Sequence, residues 1–264
     1  MSALHQRPPN IFLIAIVFAV SACSHQQDRP LVIAAASSLR HIMPELIVSF
    51  VSTHPDISIT ATYSSSGTAL QQVRRGAPVD AVVLASPLPV GTLIKEGFAD
   101  KKSQRSVATN RLVLAGPENS KPLSLSQLDS LAADQHLAIG DPHLAPVGQY
   151  ARVALRRAGL WESVQNNLVL GRNVAMVLAY VRRGEVRAGI VYETDVRGMK
   201  DAVILDTLDD APLGEVVAAV TATTERRRLR AAEFVDFLTT PTAVALFSKH
   251  GFGPSISSLN GEGG

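Results

Sequence analysis

From Leu31 onward the chain alternates short apolar runs with segments of helical period, and this order restricts the fold more than any other feature of the sequence. Strand-like runs are expected at Leu31–Ala36, Ile57–Tyr63, Asp80–Ala85, Leu112–Ala115, His136–Ile139, Leu168–Leu170, Ala188–Tyr192 and Glu215–Ala222. Helical patterns fall between them at Arg40–Val51, Thr68–Arg75, Leu88–Glu96, Leu125–Ala132, Gly148–Ala158 and Asn173–Arg183. Glu225–Leu238 and Pro241–His250 add two more near the end. Strands that alternate with helices form parallel sheets covered on both faces, and such sheets bind ligands at the carboxyl ends of their strands. The fold class is therefore α/β. The places to inspect are Ser37, Ser66, the turn after Asp141, the helix start near Asn173, and Tyr192. There is no internal repeat and no low-complexity linker, so two lobes would be joined by strands rather than by a flexible tether.

Three of these places share a property. Ser37, Ser66 and the Pro146-Val147-Gly148 step each stand where a helix is expected to begin. A helix start exposes backbone N–H groups and the positive end of the dipole, so it holds anions without Lys or Arg. The plainer reading of a single serine is a cap that stabilises its helix by about 1 kcal/mol. Likewise Tyr192, at the end of a buried strand, reads first as core packing, and Asp80 and Asp141 read as strand-edge and turn residues.

Other classes are disfavoured. The formal charge is +2, and the basic residues are scattered except for Arg226–Arg230, which reads as a solvated helix face. No nucleic-acid footprint is present. His41, His54, His136, His143 and His250 lack metal-ligand spacing, so no metal held directly by the protein is expected. An exported hydrolase using Ser37 or Ser66 is an alternative, but no nucleophile-elbow pattern and no phosphate-cradling or dinucleotide glycine motif accompanies either serine.

At the N-terminus Arg7 precedes the apolar run Ile11–Val20, followed by Ser21 and Ala22. This is the layout of an export signal over residues 1–22, and the run is shorter than the roughly 20 residues that span a bilayer. Val20-Ser21-Ala22-Cys23 resembles the lipobox of bacterial lipoproteins, which would place a lipid on Cys23 and anchor the chain to a membrane. Ordinary cleavage after Ala22 is the alternative. Cys23 is the only cysteine, so no disulfide forms within the chain. A polar linker, 23–30, and a flexible tail, 256–264, flank the folded part.

Eight segments stand in order: Ala34-Ala35-Ala36-Ser37-Ser38-Leu39, Ser65-Ser66-Gly67-Thr68, Gly76-Ala77-Pro78-Val79-Asp80, Asn110-Arg111-Leu112-Val113-Leu114, Ala138-Ile139-Gly140-Asp141-Pro142, Gly148-Gln149-Tyr150-Ala151, Asn173-Val174 and Gly189-Ile190-Val191-Tyr192. Read together, they resemble the landmarks of the molybdate-binding periplasmic proteins of ABC importers, the first being similar to that family's opening strand and serine. The resemblance covers nearly all of 31–253. It implies a type II periplasmic binding protein fold, with lobe 1 at 31–110 plus 215–255 and lobe 2 at 111–214. It further implies a monomer without cofactor or catalysis, which binds a small oxyanion, molybdate or tungstate, and delivers it to a membrane permease. Sulfate or phosphate is the alternative cargo. The implied contacts are the hydroxyl and amide of Ser37 and of Ser66, the amides of Val147 and Val174, and the Tyr192 phenol. The chain departs from the family at Val147, where Ala is common. The contact there is a backbone amide, so it survives the swap, while the added bulk is expected to tighten or reshape the pocket. Ser86-Pro87 stands where an acidic residue often follows the third strand, and no Tyr-Pro precedes Val216.

Overall fold

A computed structural model describes residues 29–259. The expected signal, the lipidation position Cys23 and most of the 23–30 linker lie outside the described residues, as do residues 260–264 of the expected tail.

The first part of the chain runs β1 (Leu31–Ala36), a 3-10 turn at Ser37–Leu39, α1 (Met43–Thr53), β2 (Ile59–Ser64), α2 (Ser66–Arg74), β3 (Ala81–Leu84), α3 (Pro87–Lys95) and β4 (Arg105–Asn110). It continues through β5 (Leu112–Pro117), a 3-10 segment at Leu125–Ser130, β6 (Leu137–Gly140), α4 (Pro146–Arg157), α5 (Trp161–Val164), β7 (Leu168–Gly171), α6 (Val174–Arg182), β8 (Ala188–Tyr192), α7 (Glu193–Val196) and β9 (Ala202–Thr207). The last elements are β10 (Gly214–Val220), α8 (Glu225–Phe237), α9 (Pro241–Lys249) and α10 (Ile256–Leu259). The residues expected to begin a flexible tail thus begin with a single helical turn beside β4.

Two five-stranded sheets form, in the orders β2-β1-β3-β10-β4 and β7-β6-β8-β5-β9. Both are mixed rather than parallel as expected. β1 runs parallel to β2 and β3, and β6 parallel to β7 and β8, whereas β10 and β5 are antiparallel to both of their neighbours. The connectivity supplies the reason. Asn110-Arg111-Leu112 carries the chain directly from β4 into β5, and the segment between Thr207 and Gly214 returns it from β9 to β10. A strand that leaves one sheet at its carboxyl edge enters the other at the corresponding edge, so it must run against that sheet's own strands.

Alternation along the strands fills both faces of the first sheet. Ile33, Ala35 and Val83 pack with Leu46, Phe50, Phe234 and Phe247 on one side, while Ala34, Val82 and Leu84 pack with Ala69, Val73, Val90 and Leu93 of α2 and α3 on the other. Asp80 ties down the far edge of this sheet. Its carboxylate accepts from the Val32 amide at 2.7 Å and from the Arg227 guanidinium, whose Nε lies 2.7 Å away, and Asp80 is 2% exposed. The expected solvated face at Arg226–Arg230 is corrected accordingly: the Arg227 side chain is largely covered, and Arg230 pairs with Asp56.

Candidate functional site

Local sequence explains why loops of the two sheets meet at one point. β1 ends in Ala36 with φ −62° and ψ 146°, and the chain then tightens into the 3-10 turn that buries Ser37 and Ser38. After β2, Ser65 is the N-cap of α2, its Oγ accepting from the Thr68 amide at 3.0 Å. The plain capping role considered for Ser66 therefore belongs to its neighbour. Ser66, 1% exposed, begins the helix, and its Oγ accepts from the Ala85 amide at 3.1 Å. With a lone pair so engaged, the hydroxyl proton remains available for donation.

On the other sheet, Pro146 occupies the first turn of α4, where its missing N–H costs nothing, and Val147 follows it. Asn173 caps α6 by accepting from the Met176 amide at 2.9 Å, which places Val174 at the first helical position. The amides of Ser66, Val147 and Val174 are thus among the first-turn N–H groups that a helix leaves without a carbonyl partner. Tyr192 ends β8, with its amide donating to the Asp195 carboxylate at 3.2 Å. Its ring rests against Gly214 at the start of β10, where a Cβ would come within 2.6 Å of Tyr192 Cε1.

One cavity joins these parts. Ser37, Ser66, Val147, Val174 and Tyr192 all line it, together with Ser38, Ser64, Ser65, Asn173 and small apolar residues. Among the described residues, no charged side chain belongs to its wall. The space open to the centre of a water-sized sphere is about 20 Å³, which corresponds to a sphere about 1.7 Å in radius and exceeds only slightly the room needed by one water. The oxygens of a compact tetrahedral ion lie on a sphere of that scale.

The Tyr192 hydroxyl is buried and has no hydrogen-bond partner among the described residues. Burial raises its pKa well above the ordinary 10, with the neighbouring Tyr150 and Asp195 adding to the rise, so the phenol stays protonated and can donate. Asp195 is pushed up to about 7 by its own burial, against the opposing pull of the Tyr192 amide. A buried hydroxyl left unpaired costs about 1–3 kcal/mol, a cost removed by an acceptor in the cavity.

Part of the Val147 side chain is directed away from the other wall residues. One methyl, Cγ1, turns onto Gly140, where a Cβ would lie 2.6 Å from it. Gly140 thus makes room for part of the larger residue.

Sequence reasoning missed two buried polar residues near Tyr192. One is Asp195. The other is Asn110, 3% exposed at the crossing from β4 to β5, whose Nδ2 donates to Thr194 Oγ1 at 2.7 Å. Asn110 opens the quoted Asn110-Arg111-Leu112 segment, so its position was visible although its bond was not.

Residues 31–253 match the family described as bacterial extracellular solute-binding protein. The chain belongs to that family. Its members bind solutes, and the chain is a binding protein rather than an enzyme. Among its relatives is YvgL of Bacillus subtilis, whose name describes an ABC transporter substrate-binding lipoprotein; the two are 30% identical over 92% of this chain and 97% of YvgL. The molybdate-binding protein ModA of Escherichia coli is 27% identical over 90% of this chain and 94% of its own length. Among solved structures, the sulfate-binding protein SubI of Mycobacterium tuberculosis superposes with a TM-score of 0.73 at 14% identity, covering 88% of this chain and 89% of SubI. At that identity the likeness shows the fold alone, a pair of α/β lobes. The family's description also carries the coarser location, outside the cytoplasm.

Proposed function

We propose that the chain captures a doubly charged tetrahedral oxyanion, molybdate or tungstate, in the cavity between the two sheets and hands it to the permease of an ABC importer. The observation that carries this reading is a small cavity, lined mostly by buried residues, that gathers three helix starts and a phenol unpartnered among the described residues, none of which adds a charged side chain to its wall. A dianion loses a large hydration energy on entry, so each oxygen needs donors. Hydrogen bonds to a charged acceptor contribute about 1.5–3 kcal/mol each, and the hydroxyls and amides of Ser37 and Ser66, the amides of Val147 and Val174 and the Tyr192 phenol supply several. Molybdenum is cargo here, not a cofactor.

Among the described residues, the wall holds no carboxylate, the strongest acceptor for a proton on phosphate. An ion that keeps a proton near neutral pH needs an acceptor, and leaving that proton unpaired is costly. Molybdate, tungstate and sulfate bring no such proton. Sulfate is smaller and remains the competing cargo, in line with the fold shared with SubI. The deciding experiment is calorimetry of the signal-free protein against molybdate, tungstate, sulfate and phosphate. Molybdate and tungstate are expected to bind far more tightly than the others, and sulfate binding as tightly as molybdate would overturn the choice of cargo.

The same reading divides the chain into the lobes 31–110 plus 215–255 and 111–214, hinged at Arg111 and near Leu213 and working as a monomer. A lipid on Cys23 would hold it at the membrane; the name of YvgL supports this, and intact-mass measurement of membrane-extracted protein tests it.

A further inference from the structure

Gly67, in the first turn of α2, stands next to the proposed ligand residue Ser66. Its φ is not positive, so the local backbone does not call for glycine. Glycine inside a helix is a cost relative to alanine. The reason for it lies across the cleft: a Cβ at position 67 would come within 2.6 Å of the Leu144 carbonyl oxygen, 3.3 Å of its carbon and 3.5 Å of Leu144 Cα. All three atoms are backbone, so nothing there can rotate away. Leu144 lies just before α4, on the other half, two residues ahead of Pro146.

A second contact crosses the gap on the same helix. Tyr150 stands one turn beyond Val147, on the same face of α4. Burial raises the pKa of its phenol, and the nearby Ser86 hydroxyl and Glu215 main chain oppose that rise, which places both beside it. Ser86 caps α3 and is 4% exposed, and Glu215 is the second residue of β10, so both belong to the first sheet's half.

We propose that these two contacts, Gly67 against Leu144 and Tyr150 against Ser86 and Glu215, hold the cleft shut around the anion, making residues 67 and 150 determinants of capture that never touch the ligand. The inference rests on the oxyanion reading above. With alanine at 67, the new methyl falls about 0.8 Å short of ordinary contact distance, and the halves must part at the rim of the cavity. A cavity this small does not tolerate such a gap, since its donors lose their reach together. The open form has no such clash, and there alanine favours the helix.

The test compares wild type, Gly67→Ala and Tyr150→Phe. Molybdate affinity is read by calorimetry, release by stopped flow, compaction by small-angle scattering, and unliganded stability by thermal melting. Gly67→Ala is expected to melt at the same or a higher temperature without ligand, yet to bind molybdate at least 30-fold more weakly and to compact less. Tyr150→Phe keeps the ring and is expected to bind about 10-fold more weakly, chiefly through faster release. If wild type binds molybdate and both variants bind within twofold of it, with full compaction, the cleft contacts are refuted while the oxyanion reading stands. If wild type binds none of the oxyanions, the functional reading fails first and takes this inference with it.

Discussion

Tyr192→Phe removes a single oxygen from the centre of the site and leaves the ring on Gly214. The residue is 2% exposed, and its hydroxyl makes no bond to any described residue, so no such bond is lost with it. Unliganded stability should therefore stay within about 0.5 kcal/mol of wild type or rise, since a buried polar atom without a partner is itself a cost. The liganded state loses one donor to a charged acceptor, about 1.5–3 kcal/mol, which raises the molybdate dissociation constant roughly 10- to 150-fold. Calorimetry on the signal-free protein, paired with urea unfolding without ligand, separates the two quantities. Binding within about twofold of wild type would show that the phenol does not donate to the anion, and the argument from its missing partner would fail. A large loss of unliganded stability would refute it differently, by showing that the hydroxyl is bonded within the protein after all.

Val147→Ala should leave molybdate affinity within about threefold of wild type, because the proposed contact is an amide and one methyl lies over Gly140. Unfolding free energy should fall by about 1–2 kcal/mol from the lost burial, and a tenfold change in affinity would show that the side chain itself shapes the pocket. Asp195 predicts a pH dependence. Its folded pKa of about 7 stands above the ordinary 3.8, so its contribution to stability is complete below about pH 4 and is lost as pH rises through 7. The difference corresponds to about 4 kcal/mol between those limits. Urea titrations from pH 4 to pH 8 should show that loss in wild type and not in Asp195→Asn, whose amide oxygen can still accept from Tyr192; parallel curves would remove Asp195 as the cause.

What could be read in the sequence followed local chemistry. Ser37, Ser66, Val147 and Val174 were visible because each stands at a junction where an apolar run gives way to a helical pattern, and the backbone there follows from short-range rules. Tyr192 was visible as the last residue of a buried run. The strands β4 and β9 were missed. Both lie at sheet edges, and their sequences, Arg-Ser-Val-Ala-Thr-Asn and Ala-Val-Ile-Leu-Asp-Thr, mix polar with apolar residues: β9 is only partly covered, while the buried Thr109 and Asn110 of β4 bond to Pro254 and Thr194. The reversed strands were missed for another reason: direction belongs to the path of the chain between sheets, and no residue encodes it locally. Long-range bonds were equally silent, since Asp80 meets Arg227 across 147 positions and neither neighbourhood announces the other.

The topology ties hinge and site together. The parallel strands β1, β2, β6, β7 and β8 end in the turns that supply every proposed donor, so they point their carboxyl ends at the gap. The strands that cross between sheets leave from the same edge, which is why Asn110 and Gly214 lie beside Tyr192. Ser37 and Ser66 come from one half, and Val147, Val174 and Tyr192 from the other. Neither set alone can meet all the oxygens of a doubly charged ion stripped of water. On the proposed reading, an ion resting on one half keeps part of its water shell, and the rest is replaced only when the second half arrives. Closure and affinity are then two readings of one free energy, and a change that parts the halves must weaken binding even with every donor intact.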